Sequence, residues 1–262
     1  MKLRIYQVDA FTSELFGGNP AAICPLKSWL PAELMQKIAM ENNLSETAFY
    51  VKEKNKYSIR WFTPTVEVDL CGHATLASAF VLFNYEGHEK DAITFSTLKS
   101  GALKVKRHKH LLTLDFPSDK IEKVELNPEL LKCFKAKPAE AFRGKTDYML
   151  VFNNEEEITN LQPDFSAIRK LNARGVIATA KGNEADFVSR FFGPQSGVNE
   201  DPVTGSAHTT LVPYWANKTE KKNLSAIQLS GRKGFLKCKY EGARVKISGQ
   251  CTMYLKGEIF IK

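Results

Sequence analysis

Three stretches of this chain gather the residue types that acid/base chemistry uses. Asn42-Asn43-Leu44-Ser45-Glu46-Thr47-Ala48 sets a single carboxyl, Glu46, directly ahead of an apolar run. Cys71-Gly72-His73-Ala74-Thr75 sets the His73 imidazole between a glycine and a second apolar run. Asn199-Glu200-Asp201-Pro202-Val203-Thr204-Gly205-Ser206 crowds polar side chains, Asp201 and Ser206 among them, ahead of a third. A carboxyl or an imidazole takes and returns a proton when its surroundings tune it. Gly72 and Gly205 would let backbone approach a ligand closely, and the unpaired N–H groups of a helix start favour an anionic group such as a carboxylate. Each stretch also has an ordinary structural use. Asp201 or Thr204 would cap a helix, Glu46 would be an exposed turn acid, and His73 a hydrogen-bonded structural histidine.

The elements around these stretches follow from periodicity. Alternating or short apolar runs at 3–8, 21–24, 48–51, 59–62, 93–95, 102–106 and 111–116 read as strands separated by turn signals such as Gly17-Gly18-Asn19-Pro20. One helix follows Ser28 as N-cap with Pro31 in its first turn, and Leu34, Met35, Ile38 and Ala39 form its apolar face. A second, at 74–83, is apolar nearly all round, which a helix tolerates only when it is enclosed. A charged, proline-dotted stretch from Pro117 to Pro138 reads as the crossover between domains. The second half repeats the style, with strands at 148–152, 176–179, 187–192, 226–229, 235–240, 244–248 and 251–255, a helix at 165–171, and another apolar helix at 207–216 containing Pro213, which should kink it. Phe62-Thr63-Pro64 leads to Gly72-His73 and an apolar helix, while Phe192-Gly193-Pro194 leads to Gly205-Ser206 and another. A unit used twice, each helix wrapped by strands, predicts two similar domains facing each other across a cleft, divided near 117.

Composition narrows the function classes. The chain has 262 residues and a net charge of +8, with 43% hydrophobic and 25% charged residues, an ordinary globular mixture. Its basic residues are scattered and form no aromatic-interleaved stripe, so nucleic acid is not the expected partner. No apolar run reaches the ~18 residues that span a bilayer, and the start alternates like a strand, which predicts no membrane association and a cytoplasmic protein. The 5 cysteines are odd in number and widely spaced, without a C-x-x-C pair, so neither a disulfide framework nor a zinc site is expected. No metal and no organic cofactor are expected either, since ligand spacing and phosphate-loop glycines are both missing.

Taken together, Asp9-Ala10-Phe11 with Gly18-Asn19-Pro20-Ala21, Asn43-Leu44-Ser45-Glu46-Thr47, Phe62-Thr63-Pro64, Cys71-Gly72-His73-Ala74-Thr75 and Glu200-Asp201-Pro202-Val203-Thr204-Gly205-Ser206-Ala207 resemble, in this order, the PhzF family of phenazine-biosynthesis-like isomerases. The resemblance implies an α+β, diaminopimelate epimerase-like fold: two pseudo-symmetric domains, each a β-barrel around a central helix, over residues 1–117 plus about 250–262 and over 118–249. It implies a homodimer and cofactor-independent transfer of a proton between carbons of a small carboxylated substrate. By the same match Glu46 is the general acid/base at the interdomain cleft, His73 and Asp201 complete the catalytic set with Ser206 as a further substrate contact, and Gly72 and Gly205 are the helix-entry glycines. A carboxyl in a water-poor interface can have its pKa raised toward neutrality, with Asp201 adding like-charge pressure. Epimerase relatives use a cysteine from each domain. Here no cysteine lies between Cys133 and Cys238, so Cys71 reads as a packing residue. The reading from a different class is a catalytically idle small-molecule-binding or interaction protein that kept the fold.

Overall fold

A computed structural model describes residues 1–261, and they divide into two compact units. The first holds Met1–Asp115 with the stretch from Ser248 onward, and the second holds Phe116–Ile247. Among the described residues no helix is long and apolar enough to cross a membrane.

The first unit begins with β1 (Lys2–Ala10), β2 (Asn19–Leu26), α1 (Ala32–Asn42), β3 (Glu46–Glu53) and β4 (Lys56–Phe62), followed by the short β5 (Glu67–Val68) and by α2 (Gly72–Asn84). It continues through β6 (Ala92–Ser96), β7 (Ala102–His108) and β8 (Leu111–Pro117), and the C-terminal strand Cys251–Phe260 pairs back onto β1. β1 and β2 run antiparallel, β2 and β3 parallel, β3 and β4 antiparallel, β4 and β6 parallel, and β6 and β7 antiparallel, while β5 flanks β4. Eleven of the 13 residues of α2 are buried, and the helix packs against β1, β2 and β3. An all-apolar helix is thereby enclosed as its composition requires. Its polar members are satisfied locally: Thr75 and Ser78 donate to the Cys71 and Ala74 carbonyls.

The second unit repeats this pairing order. It comprises β9 (Glu122–Val124), α3 (Pro128–Leu131), β10 (Glu140–Arg143), β11 (Asp147–Val151), α4 (Glu155–Thr159), α5 (Phe165–Lys170), β12 (Gly175–Lys181), β13 (Phe187–Gly193) and β14 (Val198–Asp201). Then come α6 (His208–Thr219), β15 (Asn223–Gln228), β16 (Gly234–Tyr240) and β17 (Arg244–Gly249). β10 and β11 are antiparallel, β11 and β12 parallel, β12 and β13 antiparallel, β13 and β15 parallel, and β15 and β16 antiparallel, with β14 flanking β13. Strand for strand this is the order of the first unit, and α6 occupies the place of α2. Eight of its 12 residues are buried, with Trp215 stacked on Phe187 and donating to Thr179 Oγ1 at 2.9 Å.

Two expectations are corrected. Ser28 does not cap α1: the cap position is Pro31, and its carbonyl accepts from Leu34 and Met35. The stretch from Pro117 to Pro138 is no bare crossover, because Leu130, Cys133 and Phe134 enter the core of the second unit. Its charges conceal a few well-placed apolar anchors. Pro213 stays inside α6 because the Thr209 carbonyl, which a proline cannot serve, accepts instead from the Asp119 backbone N–H at 3.1 Å.

Candidate active site

Glu46 opens β3, paired across the parallel ladder with Ala21, and its side chain keeps 16% exposure. His73 is the second residue of α2 and is buried. Nε2 of His73 stands 3.1 Å from Glu46 Oε2, a buried oxygen. On the other side of the ring, Nδ1 lies 3.1 Å from Asn19 Nδ2. An amide nitrogen only donates, so in a neutral ring Nδ1 accepts and the proton sits on Nε2, facing the carboxylate. Turning the Asn19 amide over would present Oδ1 to a doubly protonated ring. Asn19 is delivered by the preceding turn: Gly18 has φ +61, and a side chain there would strike the Ala10 carbonyl.

Burial opposes a charge on His73, but the neighbouring Cys71 and Glu46 outweigh it and hold the His73 pKa well above its ordinary value. The Cys71 thiol is pushed up to about 11, by burial first and then by the Glu46 carboxylate. It therefore stays protonated near neutral pH.

The second unit builds its own constellation. Asp201 ends β14, and its carboxylate accepts from Thr204 Oγ1 at 2.5 Å. Capping is thus not the use of this loop: α6 has no side-chain cap, and neither has α2, whereas α3, α4 and α5 are capped by Asn127, Asn154 and Asp164. Gln228, fully buried, holds the loop at both ends, accepting from the Thr204 N–H at 2.8 Å and donating to the Asp201 carbonyl at 2.7 Å. Gly205 and Ser206 form the turn into α6, and Ser206 Oγ accepts from Arg174 at 2.8 Å. His208, wholly buried, donates from Nδ1 to the Thr204 carbonyl at 2.9 Å, and burial pulls its pKa down to about 4, so it is neutral.

Glu46, Gly72 and His73 thus come together in the first unit, and Asp201, Gly205 and Ser206 in the second. Sequence reasoning missed Asn19 as the brace of His73, Gln228, and the Arg174–Asp147 pair. The Gly18-Asn19-Pro20 motif carried a signal for the first. Gln228 ends an ordinary strand and Arg174 lies in the bend ahead of one, and neither gave any.

Glu46, Cys71 and His73 place an oxygen, a sulfur and a ring nitrogen within 4.8 Å of one another. The sulfur sits on the Nδ1 side, 3.5 Å away against 4.0 Å from Nε2, while the carboxylate meets Nε2. One ion on either nitrogen would reach only one of the other two donors unless Cys71 turned.

A profile of the phenazine biosynthesis-like protein family matches residues 8–257. A relative described as an uncharacterized isomerase of Pseudomonas aeruginosa is 49% identical over the whole of both chains. The crystal structure of a PhzF family protein from Enterococcus faecalis superposes with a TM-score of 0.96 at 48% identity, covering 100% of each chain. A hydroxyproline epimerase from Agrobacterium vitis, with 98% of this chain and 92% of that one covered, reaches 0.64 at 10% identity and so shares the fold alone. The class is therefore that of isomerases built on the diaminopimelate epimerase-like α+β fold, as the sequence motifs implied. The chain belongs to the phenazine biosynthesis-like, PhzF, family.

Proposed function

We propose that this protein is a cofactor-independent isomerase or epimerase that moves a proton between carbons of a small carboxylated substrate, with Glu46 as general acid/base. The observation that carries the reading is the Glu46–His73 pair at 3.1 Å, at the entrance of an enclosed helix whose first N–H groups have no side-chain cap. In the proposed step the Glu46 carboxylate takes a proton from a substrate carbon, and the electron pair left behind delocalises toward an acceptor oxygen. The resulting carboxylic acid then returns the proton to another carbon or another face. His73, held by Asn19, keeps the carboxyl in place and places a positive charge beside it. Developing negative charge on the substrate meets the uncapped first turns of α2 and α6. Asp201, Gly205 and Ser206 act on the same substrate as Glu46, and the working form is a homodimer in the cytoplasm.

The test is a panel of small carboxylates incubated in deuterated buffer and read by mass spectrometry. Glu46→Gln keeps shape and a hydrogen bond but cannot shuttle a proton, so it should remove deuterium incorporation into the cognate substrate while leaving the fold intact. Full incorporation by Glu46→Gln would defeat the reading. Binding without exchange, in the wild type, would instead identify a catalytically idle binding protein.

A further inference from the structure

The two units put different residues at one equivalent place. In the first, the ladder between β2 and β3 opens with Ala21 opposite Glu46. In the second, the ladder between β11 and β12 opens with Asp147 opposite Gly175. Gly175 cannot carry an acid, because a Cβ there would lie 2.6 Å from the Phe191 ring. The residue just before it is Arg174, and where Glu46 meets the residue after the helix-entry glycine, His73, Arg174 meets the residue after the other one, Ser206.

Arg174 is pinned along its length. Its backbone N–H donates to the Thr146 carbonyl at 2.8 Å, and its guanidinium lies over the Phe191 ring, 5.0 Å from the centroid. Nε and Nη2 fork onto the carboxylate of Asp147, which is 2% exposed. That leaves Nη1, which donates to Ser206 Oγ at 2.8 Å. A guanidinium has no lone pair to accept with, so Ser206 can only be the acceptor in that bond, and its own O–H must point elsewhere. Among the described residues none receives it.

We propose that Arg174 is a positioning residue: clamped by Asp147, it donates into the Ser206 hydroxyl and so commits that hydroxyl to donate its proton to an acceptor oxygen of the substrate. This rests on the reading of Ser206 as a substrate contact and adds a polarity to it. With its O–H left to donate beside a cation, the hydroxyl is matched to a carboxylate oxygen, with which the bond is charge-assisted. A bond received from a cation also polarises the hydroxyl, making it the stronger donor. A merely structural Arg174 would need to satisfy Asp147 alone.

The test compares binding of anthranilate, a planar carboxylate, with that of anthranilamide, which replaces one acceptor oxygen by an N–H donor, using ligand-observed NMR. Wild type should prefer anthranilate by about tenfold or more, the size of one charge-assisted hydrogen bond. D147N/R174Q removes both buried charges together, and Ser206→Ala removes the hydroxyl. Each should bring the preference to within about twofold, and their combination should take it no further. Arg174→Lys keeps a cation on Asp147 without a third nitrogen for Ser206, and it must show the same loss even if the double variant does not fold. A wild type without the preference, or a folded Arg174→Lys that keeps it, overturns the assignment. Deuterium exchange by Glu46→Gln is scored separately. If Glu46 proves dispensable while the preference depends on Arg174, the acid/base reading fails and the Arg174 assignment stands. The reverse pattern sinks Arg174 alone.

Discussion

The first unit meets its helix entrance with an acid and an imidazole, and the second meets its own with a guanidinium and a hydroxyl. Around them the frames agree pairing for pairing, down to the short strand that precedes each central helix. One frame can therefore carry two chemistries, because the first residue of the parallel strand in one unit, Glu46, and the residue just ahead of that strand in the other, Arg174, each meet the helix start while differing in type. Glu46 is a group that exchanges a proton. Arg174 is permanently charged and suits holding. The helices differ too: α2 buries mostly small and aliphatic residues, with Phe83 near its end and a raised-pKa His73 at its start, while α6 buries Tyr214 and Trp215 and a neutral His208.

The largest effect should come from breaking the first unit's chemistry. Glu46→Gln should lower the rate of deuterium incorporation by ~10²–10⁴-fold, the usual worth of general acid/base catalysis. Cys71→Ser should retain most of that rate, because the thiol at about 11 holds its proton. If Cys71→Ser lost exchange and Glu46→Gln kept it, the thiol would be the base after all.

Next in size is packing of the second unit's helix. Trp215→Ala removes a ring stacked on Phe187 and orphans the Thr179 hydroxyl contact, and it should cost about 3–5 kcal/mol in urea unfolding. Leu76→Ala, wholly buried in α2, should cost about 2–5 kcal/mol. Indifference to both substitutions would mean that the helices do not hold their units together.

The two histidines should respond to pH in opposite senses. For His208 the folded pKa, about 4, lies below the ordinary 6.5, so the unfolded chain takes up the proton first. Stability is then lost as pH falls from about 6.5 toward 4, by on the order of 3 kcal/mol. His73 has a raised folded pKa. Its contribution is complete below about 6.5 and fades as pH rises through the raised value. NMR titration of the ring protons checks both, and a His208 that titrates near 6.5 would contradict its burial.

The smallest expected effect is at Gln228. Gln228→Ala leaves the buried Thr204 N–H without its acceptor and should cost about 1–3 kcal/mol, with a raised KM if the Asp201 loop loosens.

Much of this was legible in one dimension. The enclosed helices announced themselves through one run apolar nearly all round and another mostly apolar, and the repeated Gly-helix unit anticipated the repeated pairing order. Short elements amid charge, such as β9, α3 and β10, were not legible, because three or four residues carry no periodicity to detect.

Residue types and motif order, by themselves, determined the family, the identity of the acid/base candidate and the two glycine-entered helices, since these depend on local composition and on the order of short segments. Tertiary structure alone decided which partners those residues have. Asn19 reaches His73 from 54 positions away, Arg174 reaches Ser206 from 32, and Gln228 bridges Asp201 and Thr204 from the next strand. Hydrogen bonds act over about 3 Å of space whatever the sequence separation, and only the folded ladders bring such residues within that distance.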